Sequence, residues 1–274
     1  MTAMGLRKYP RTPHLESSRL QVGDDTHHVP FAELAGAYVV AEEKIDGANA
    51  AVSFGDDGEL LLQSRGHYLV GGGREKHFAR LKSWATCHAR ALHAVLGARY
   101  VMYGEWVFAR HTIFYDRLPH LFLEFDVLDR EREVFLDTAA RRALLAELPV
   151  VSVPVVFAGT PTSLDALWEL VRQPLWQSDH WAETLRALAE AQGLDPERVL
   201  LESDRSGLSE GLYLKVERDG VVERRLKLVR SSFLQTVMQS GTHWLARPII
   251  PNQLADGVDL YDPTRTLLTP GVPL

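Results

Sequence analysis

Alternation of apolar and polar residues is clearest between residues 37 and 66. "AYVVAEEKI" reads as a strand, and "ANAAVSF" and "ELLLQSRG", joined by the polar turn "GDDG" at 55–58, read as a β-hairpin. The next stretch, "REKHFARLKSWATCHARALHAVLG", carries apolar residues at helical spacing and stops at Gly97, a residue suited to follow a helix end. "RYVMYGEWV" and "HLFLEFDVLD" read as buried strands. Asp137 and Thr138 are placed to open a helix through Leu148, and "VVSVPVVFAG" predicts one more strand. Residues 162–192 predict largely helical structure capped by Thr162 or Ser163. "EGLYLKVERDGVVERRLKLV" predicts a second hairpin turned at "RDG", with a short helix after Ser231 and a proline-rich tail beyond it. Hairpins alternating with helices predict an antiparallel α+β class rather than a parallel βαβ arrangement. The first 30 residues are polar and broken by Pro10, Pro13 and Pro30.

Composition narrows this picture. The 274 residues are 46% hydrophobic, enough for one large domain or two small ones. The net charge of -6 excludes a polycation, so nucleic-acid contact would rest on a local basic surface. Lys8, Arg11, His14 and Arg19 form one such cluster, which reads equally as a phosphate contact or a solvated tail. The single cysteine, Cys87, rules out an internal disulfide, suits a reducing cytosol, and is expected as a small core residue of its helix. "MTAMGLRKYPRTPHL" lacks an apolar leader, and no run of about 18 apolar residues exists, so the expectation is a cytoplasmic protein with no membrane span.

The chemistry gathers where the apolar runs end. Lys44, Asp46 and Gly47 in "EEKIDGANA" are either a solvated corner or an amine held for nucleophilic attack. A free lysine has a pKa near 10.4, so roughly one in a few thousand is neutral at pH 7. Burial and nearby cations would lower that value, whereas Asp46 and Glu43 would raise it. By itself K-x-D-G decides nothing, since chance supplies it on the order of once in twenty such chains. Further polar groups close the other strands: Arg65 in "SRG", Glu105 in "YGEW", Phe125 in "FLEFD", Glu210 and Lys215 in "SEGLYLK", and Lys227 in "RLKLVR". The competing readings are a surface arginine for Arg65, plain core for Phe125 and a solvated hairpin lysine for Lys215. A carboxylate such as Glu105 closing an apolar strand is costly if buried unpaired, which favours a role for it. "GGGREK" lacks the GK[ST] ending of a phosphate-binding P-loop. The histidines show no zinc spacing, and "DGVDLYD" does not follow the EF-hand spacing.

In order and spacing across residues 43–230 these six stretches resemble the covalent nucleotidyltransferase superfamily of polynucleotide ligases and RNA capping enzymes. "EEKIDGAN" with "EFDV" is most similar to the RNA ligase 2 type, and "KYPRTPHL" with "SRGHYLVGGGREKHF" resembles small bacterial ATP-dependent RNA ligases. The resemblance implies the nucleotidyltransferase fold, ATP-grasp-like, with antiparallel sheets flanked by helices. It implies an adenylyltransferase domain over 1–247, with an irregular N-terminal segment, and a proline-rich tail over 248–274 that leaves no room for an OB-fold domain. Lys44 would attack the α-phosphate of ATP to give lysyl-AMP, and AMP would pass to an RNA 5′-phosphate that is then sealed to a 3′-hydroxyl. Arg65 would hold a phosphate, Glu105 a ribose hydroxyl, and Phe125 would stack on adenine. Glu43 would border the adenine pocket and Asn49 would meet a phosphate. Glu210, helped by Asp46, would hold Mg2+ or Mn2+. Lys227, and Lys215 beside it, would neutralise phosphate charge. The pattern usually ends in K-x-K, but here the slot reads Lys227-Leu228-Val229 flanked by Arg225 and Arg230, so either the second lysine is missing or a shifted register lets Arg225 and Lys227 fill the pair. A polynucleotide kinase or phosphatase partner in RNA repair is also implied. A DNA ligase, a GTP-using capping enzyme and a non-catalytic RNA-binding protein are the alternatives.

Overall fold

The protein's structure is a computed structural model, which describes residues 5–18, 28–239 and 247–263. Two six-stranded sheets face one another. The first runs in the order Val155–Gly159, Val39–Glu43, Gly211–Arg218, Val221–Val229, His14–Leu15, His28–Val29. The second runs Leu60–Ser64, Ala48–Phe54, Tyr100–Trp106, Phe122–Asp129, Val134–Phe135, with Val151–Ser152 also paired to Phe122–Asp129. Neighbours are antiparallel except at His14–Leu15 and Val151–Ser152. The α+β class with antiparallel sheets flanked by helices is therefore the observed one.

Most predicted elements stand where the pattern puts them. The 48–64 hairpin pairs in register, the 211–229 hairpin pairs with a register shift at Val216–Glu217, and Asp137 and Ser163 cap their helices through their side chains. The long helix expected over 74–97 is instead a 3-10 turn, Gly73–Phe78, followed by helices Ala79–Cys87 and Ala89–Leu96 that break at His88. The buried His88 ring bonds to the Leu260 carbonyl at 3.0 Å, a tertiary tie that local periodicity does not reveal. Cys87 departs from expectation: it is exposed, because it lies with Ser83 and Thr86 on the side of its helix opposite the buried Leu81, Trp84 and Ala85. "VVSVPVVFAG" is two strands, since Pro154 carries the chain from the second sheet to the first. The 162–192 stretch is helical only at Leu164–Trp168 and Trp181–Ala191, and a further helix, Pro196–Leu201, starts with proline at its first turn.

Alternation decides what faces what. Val39, Ala41, Leu212, Leu214, Val216, Leu226 and Leu228 pack together on one face of the first sheet. Their neighbours Glu42, Tyr213, Lys215, Arg225 and Lys227 therefore point the other way, toward the second sheet. On that sheet Ala50, Val52, Phe54 and Met102 pack against the helical layer around Trp84, whose complete burial contributes roughly 3 kcal/mol. Ala51, Tyr103 and, by the same alternation, Asn49 and Glu105 face the first sheet. Residues 247–263 return to this core through Asn252, which accepts from the Tyr115 amide and donates to the Val107 carbonyl.

Candidate active site

Lys44 directly follows the Val39–Glu43 strand, and its amide donates to the Gly211 carbonyl at 3.0 Å. Its ammonium lies 2.8 Å from Glu210 Oε1, and its side chain keeps 25% of its surface open. Burial disfavours the charged form, but Glu210, Glu105 and Asp46 outweigh it, so Lys44 titrates above the ordinary lysine value. The raising influence thus prevails, and it comes from Glu210, Glu105 and Asp46 rather than from Glu43. Burial pushes Glu105 up to about 8 against the pull of Lys44, with Glu210 and Asp46 adding repulsion. Burial likewise drives Asp46 up to about 7, with Glu210 adding to it. Three carboxyls share one ammonium, an arrangement short of positive charge.

Asp46 is gripped by the loop after the Tyr100–Trp106 strand. Its Oδ2 accepts from the Thr112 and Ile113 amides, both at 2.7 Å, and its own amide donates to the Tyr115 hydroxyl at 2.9 Å. His111 Nδ1 is 4.0 Å from Oδ1. Gly47 is required at this corner: a Cβ there would lie 2.8 Å from the Trp106 carbonyl oxygen and 2.9 Å from Glu105 Cγ. Gly211, just after Glu210, is required too, since a Cβ would run into the Leu228 carbonyl. Arg230 anchors the loop before Glu210. Its guanidinium donates to Ser209 O at 2.6 Å and to Asp204, and its amide donates to the Glu210 carbonyl at 3.1 Å.

The other candidates fall into two groups. Asn49 is paired with Glu105 across the Ala48–Phe54 and Tyr100–Trp106 strands, and its Oδ1 is buried without a hydrogen-bond partner. Arg65 is exposed at the end of its strand, and its charge reaches Glu105. Lys227 lies opposite Tyr213 on the face toward the second sheet. Arg225 shares that face, two residues away, whereas Arg230 is committed to the 203–210 loop. Asn49 and Arg65 thus lie beside Glu105, which acts on Lys44, while Lys227 and Arg225 line the inter-sheet face two strands away.

Three candidates sit otherwise. Glu43 points to the opposite face of its strand, where Oε2 accepts from the Leu175 amide at 3.1 Å and Oε1 has no partner. Burial pushes its carboxyl up to about 7. Phe125 is the extra residue of a bulge between Glu124 and Asp126, half-buried, with its ring 6.1 Å from that of Tyr213. Lys215 is no solvated hairpin lysine. It is fully buried, 2.9 Å from Glu42 Oε2 and 3.1 Å from Asp126 Oδ1, and it donates to the Phe125 carbonyl. Arg141 completes this network by bridging Glu42 and Glu124. Sequence reasoning passed over Glu42, Asp126 and Arg141. The signal was present in acidic residues at even spacing from Lys44 and within the apolar "FLEFDVLD" run. Of the basic N-terminal cluster, Lys8 and Arg11 are exposed and His14 is buried against Ser18, while Arg19 lies outside the described residues.

The donor set around Lys44 fits a divalent cation. Its carboxylate oxygens are hard donors held in mutual repulsion that a cation would relieve. Among the described residues no group of three His, Cys, Asp or Glu side chains converges to hold a metal alone. Mg2+ characteristically takes one or two carboxylates and completes its shell with phosphate and water oxygens. No helix among the described residues is long and apolar enough to cross a membrane.

Comparison with known proteins adds three findings. The model of one family, described as RNA ligase, matches residues 37–229. No curated protein matches. Among solved structures, a variant of the Naegleria gruberi RNA ligase with AMP and Mn is similar at a TM-score of 0.51 and 14% identity, over 85% of this chain and 59% of that one. The Naegleria gruberi RNA ligase with PPi is similar at a TM-score of 0.44 and 17% identity, over 86% of this chain and 64% of that one. The likeness is one of fold, and the chain spans less than two thirds of either structure.

Proposed function

The chain belongs to the RNA ligase family, and from that premise we propose that it is an ATP-dependent RNA ligase with Lys44 as its nucleophile. One observation carries the reading. The Lys44 amine stands at the end of a buried strand, 2.8 Å from Glu210, with Glu105 and Asp46 acting on its charge.

The chemistry runs in three steps. The Lys44 ammonium must first lose a proton, and Glu210 Oε1 is an acceptor within hydrogen-bond reach. The amine attacks the α-phosphorus of ATP, an N–P bond forms, the bond to the β-phosphate oxygen breaks and pyrophosphate leaves. Glu105 accepts from a ribose hydroxyl, Phe125 stacks on adenine, and Asn49 and Arg65 meet phosphate oxygens, while Glu43, on the opposite face, borders the pocket only through the strand end that it ties to the Leu175 amide. Lys227, with Arg225 beside it, balances phosphate charge as it builds. Lys215, buried beneath, holds Phe125 and Asp126 in place instead of meeting the phosphates. Mg2+ or Mn2+, held by Glu210 with Asp46 near, would neutralise the triphosphate. AMP then passes to an RNA 5′-phosphate, a 3′-hydroxyl attacks that phosphorus, and AMP leaves. A 2′-hydroxyl contact at the joint would tell RNA from DNA. The substrate is RNA with 5′-phosphate and 3′-hydroxyl ends. An RNA-repair setting in the cytoplasm, with a kinase or phosphatase that prepares such ends, follows from the same reading. The unit that does this work is the adenylyltransferase domain over 1–247.

Incubation with ATP labelled at the α-phosphate, then denaturation, tests the reading. Label should remain on the wild-type chain through an acid-labile bond, and Lys44→Ala should remove it while the chain stays folded. Label retained by Lys44→Ala would reject Lys44 as nucleophile. Label from GTP alone would move the chain to the capping class. Nicks in RNA and DNA duplexes, compared in parallel, should show sealing that depends on 2′-hydroxyls.

A further inference from the structure

Residues 7–15 precede the span that the family model matches, which begins at residue 37, yet they reach the Phe125 and Arg225 side chains and the Lys227 backbone of the proposed nucleotide site. Tyr9 is 8% exposed. Its ring meets those of Tyr103 and Phe125 edge-on, both at 5.1 Å, and that of Phe135 at 5.8 Å. Its hydroxyl donates to Asp126 of the second sheet and lies 2.5 Å from the Tyr213 hydroxyl of the first. The Arg225 guanidinium stands 5.2 Å from its ring centre. The backbone on either side is fastened as well. The Arg7 carbonyl accepts from the Tyr103 hydroxyl at 2.7 Å and the Gln63 amide at 2.9 Å. Thr12 bonds to the Tyr213 hydroxyl at 2.9 Å, and the Pro13 carbonyl accepts from the Lys227 amide at 2.9 Å.

These contacts have a direction. A base stacked on Phe125 needs that ring held at a fixed place and tilt, and the Tyr213 ring 6.1 Å away across the sheets is its neighbour. Tyr9 bonds to both sheets through one hydroxyl, touching Phe125 with its edge and Tyr213 with its oxygen. Pro13 and His14 pair with the strand that carries Lys227, so the same segment also fixes the depth of that lysine.

We propose that residues 7–15 are a working part of the nucleotide site, a strap that holds Phe125 in place to receive a purine base and ties it to Tyr213 across the sheets, with Tyr9 as its positioning residue. The proposal rests on the reading that ATP binds between the sheets.

The test is the ATP dependence of lysyl-AMP formation by the full chain. Tyr9→Phe keeps the ring and removes the hydroxyl, and it should raise the ATP KM about tenfold, the effect of one lost bond to a charged partner, with kcat within about twofold. Thr12→Val should shift KM in the same direction by less. Arg99→Ala cuts the 2.6 Å pair with Asp129 at the far end of the second sheet, so it should lower stability and leave KM alone. An unchanged KM in Tyr9→Phe, with wild-type labelling intact, overturns the strap and leaves the ligase reading standing. A wild-type chain that takes no label overturns both. A KM that rises equally in Arg99→Ala shows general loosening and also overturns the strap.

Discussion

A carboxyl that is 5% exposed, with one oxygen on the Leu175 amide and the other unpartnered, is costly to ionise, and Glu43 is that carboxyl. Burial raises it from about 4.5 in a free chain to about 7. The folded state thus holds this proton more tightly than the unfolded one. Its stabilising effect is fully present below pH 4.5 and is lost as pH rises through about 7. At 1.36 kcal/mol per unit the loss comes to roughly 3 kcal/mol. Glu43→Gln keeps an acceptor for Leu175 and cannot ionise. Its unfolding free energy in urea should therefore fall less between pH 5 and pH 8 than that of the wild type, by up to that amount. Parallel pH profiles for the two proteins would show that Glu43 is not the group that titrates.

Single elements matter because the strand ends carry the site. The Gly47 corner lets the Glu105 side chain and the Trp106 carbonyl crowd against the backbone just past Lys44. In Gly47→Ala the new methyl must displace one of them, at a cost of about 1–3 kcal/mol. Glu105 is the softer neighbour, so adenylylation should fall at least tenfold while the unfolding midpoint drops only moderately. Normal adenylylation in this variant would mean that the Glu105 position is unimportant to the reaction. Gly104 is set the same way, since a Cβ there would lie 2.5 Å from the Phe122 ring. Such elements were legible in the sequence because each strand buries one face and ends in polar residues, so "YGEW" and "EEKIDGAN" announce both pattern and site. The break at His88 and the crossing at Pro154 were not, because each depends on a partner far along the chain, whereas the Pro196–Leu201 helix carried a local signal, the Asp195 cap followed by proline, that went unread. Burial of Lys215 was hidden for a related reason: alternation gives the face of a strand, but not what lies across from it.

At the scale of the whole molecule, what lies across is an ionic network that joins the two sheets and a helix. Glu42 and Lys215 belong to the first sheet, Glu124 and Asp126 to the second, and Arg141 to the Thr138–Leu145 helix. Lys215 meets both Glu42 and Asp126, and Arg141 meets both Glu42 and Glu124, all fully buried. Charges this deep repay their desolvation only while every partner is present. Lys215→Met keeps the volume and removes the charge, leaving Asp126 with Arg225 at 3.7 Å and Glu42 with Arg141. The expected cost is about 3–5 kcal/mol, seen as a fall in the urea midpoint at pH 7.5. Protonation of the stranded carboxyls should recover part of the loss at pH 5, because the native state then takes up protons that the unfolded chain binds more weakly. The family resemblance instead assigns Lys215 to phosphate charge, and that role has a different signature: a raised ATP KM with the unfolding midpoint unchanged. Stability and nucleotide affinity, measured on the one variant, therefore decide between a lysine that ties the sheets together and one that reaches the substrate.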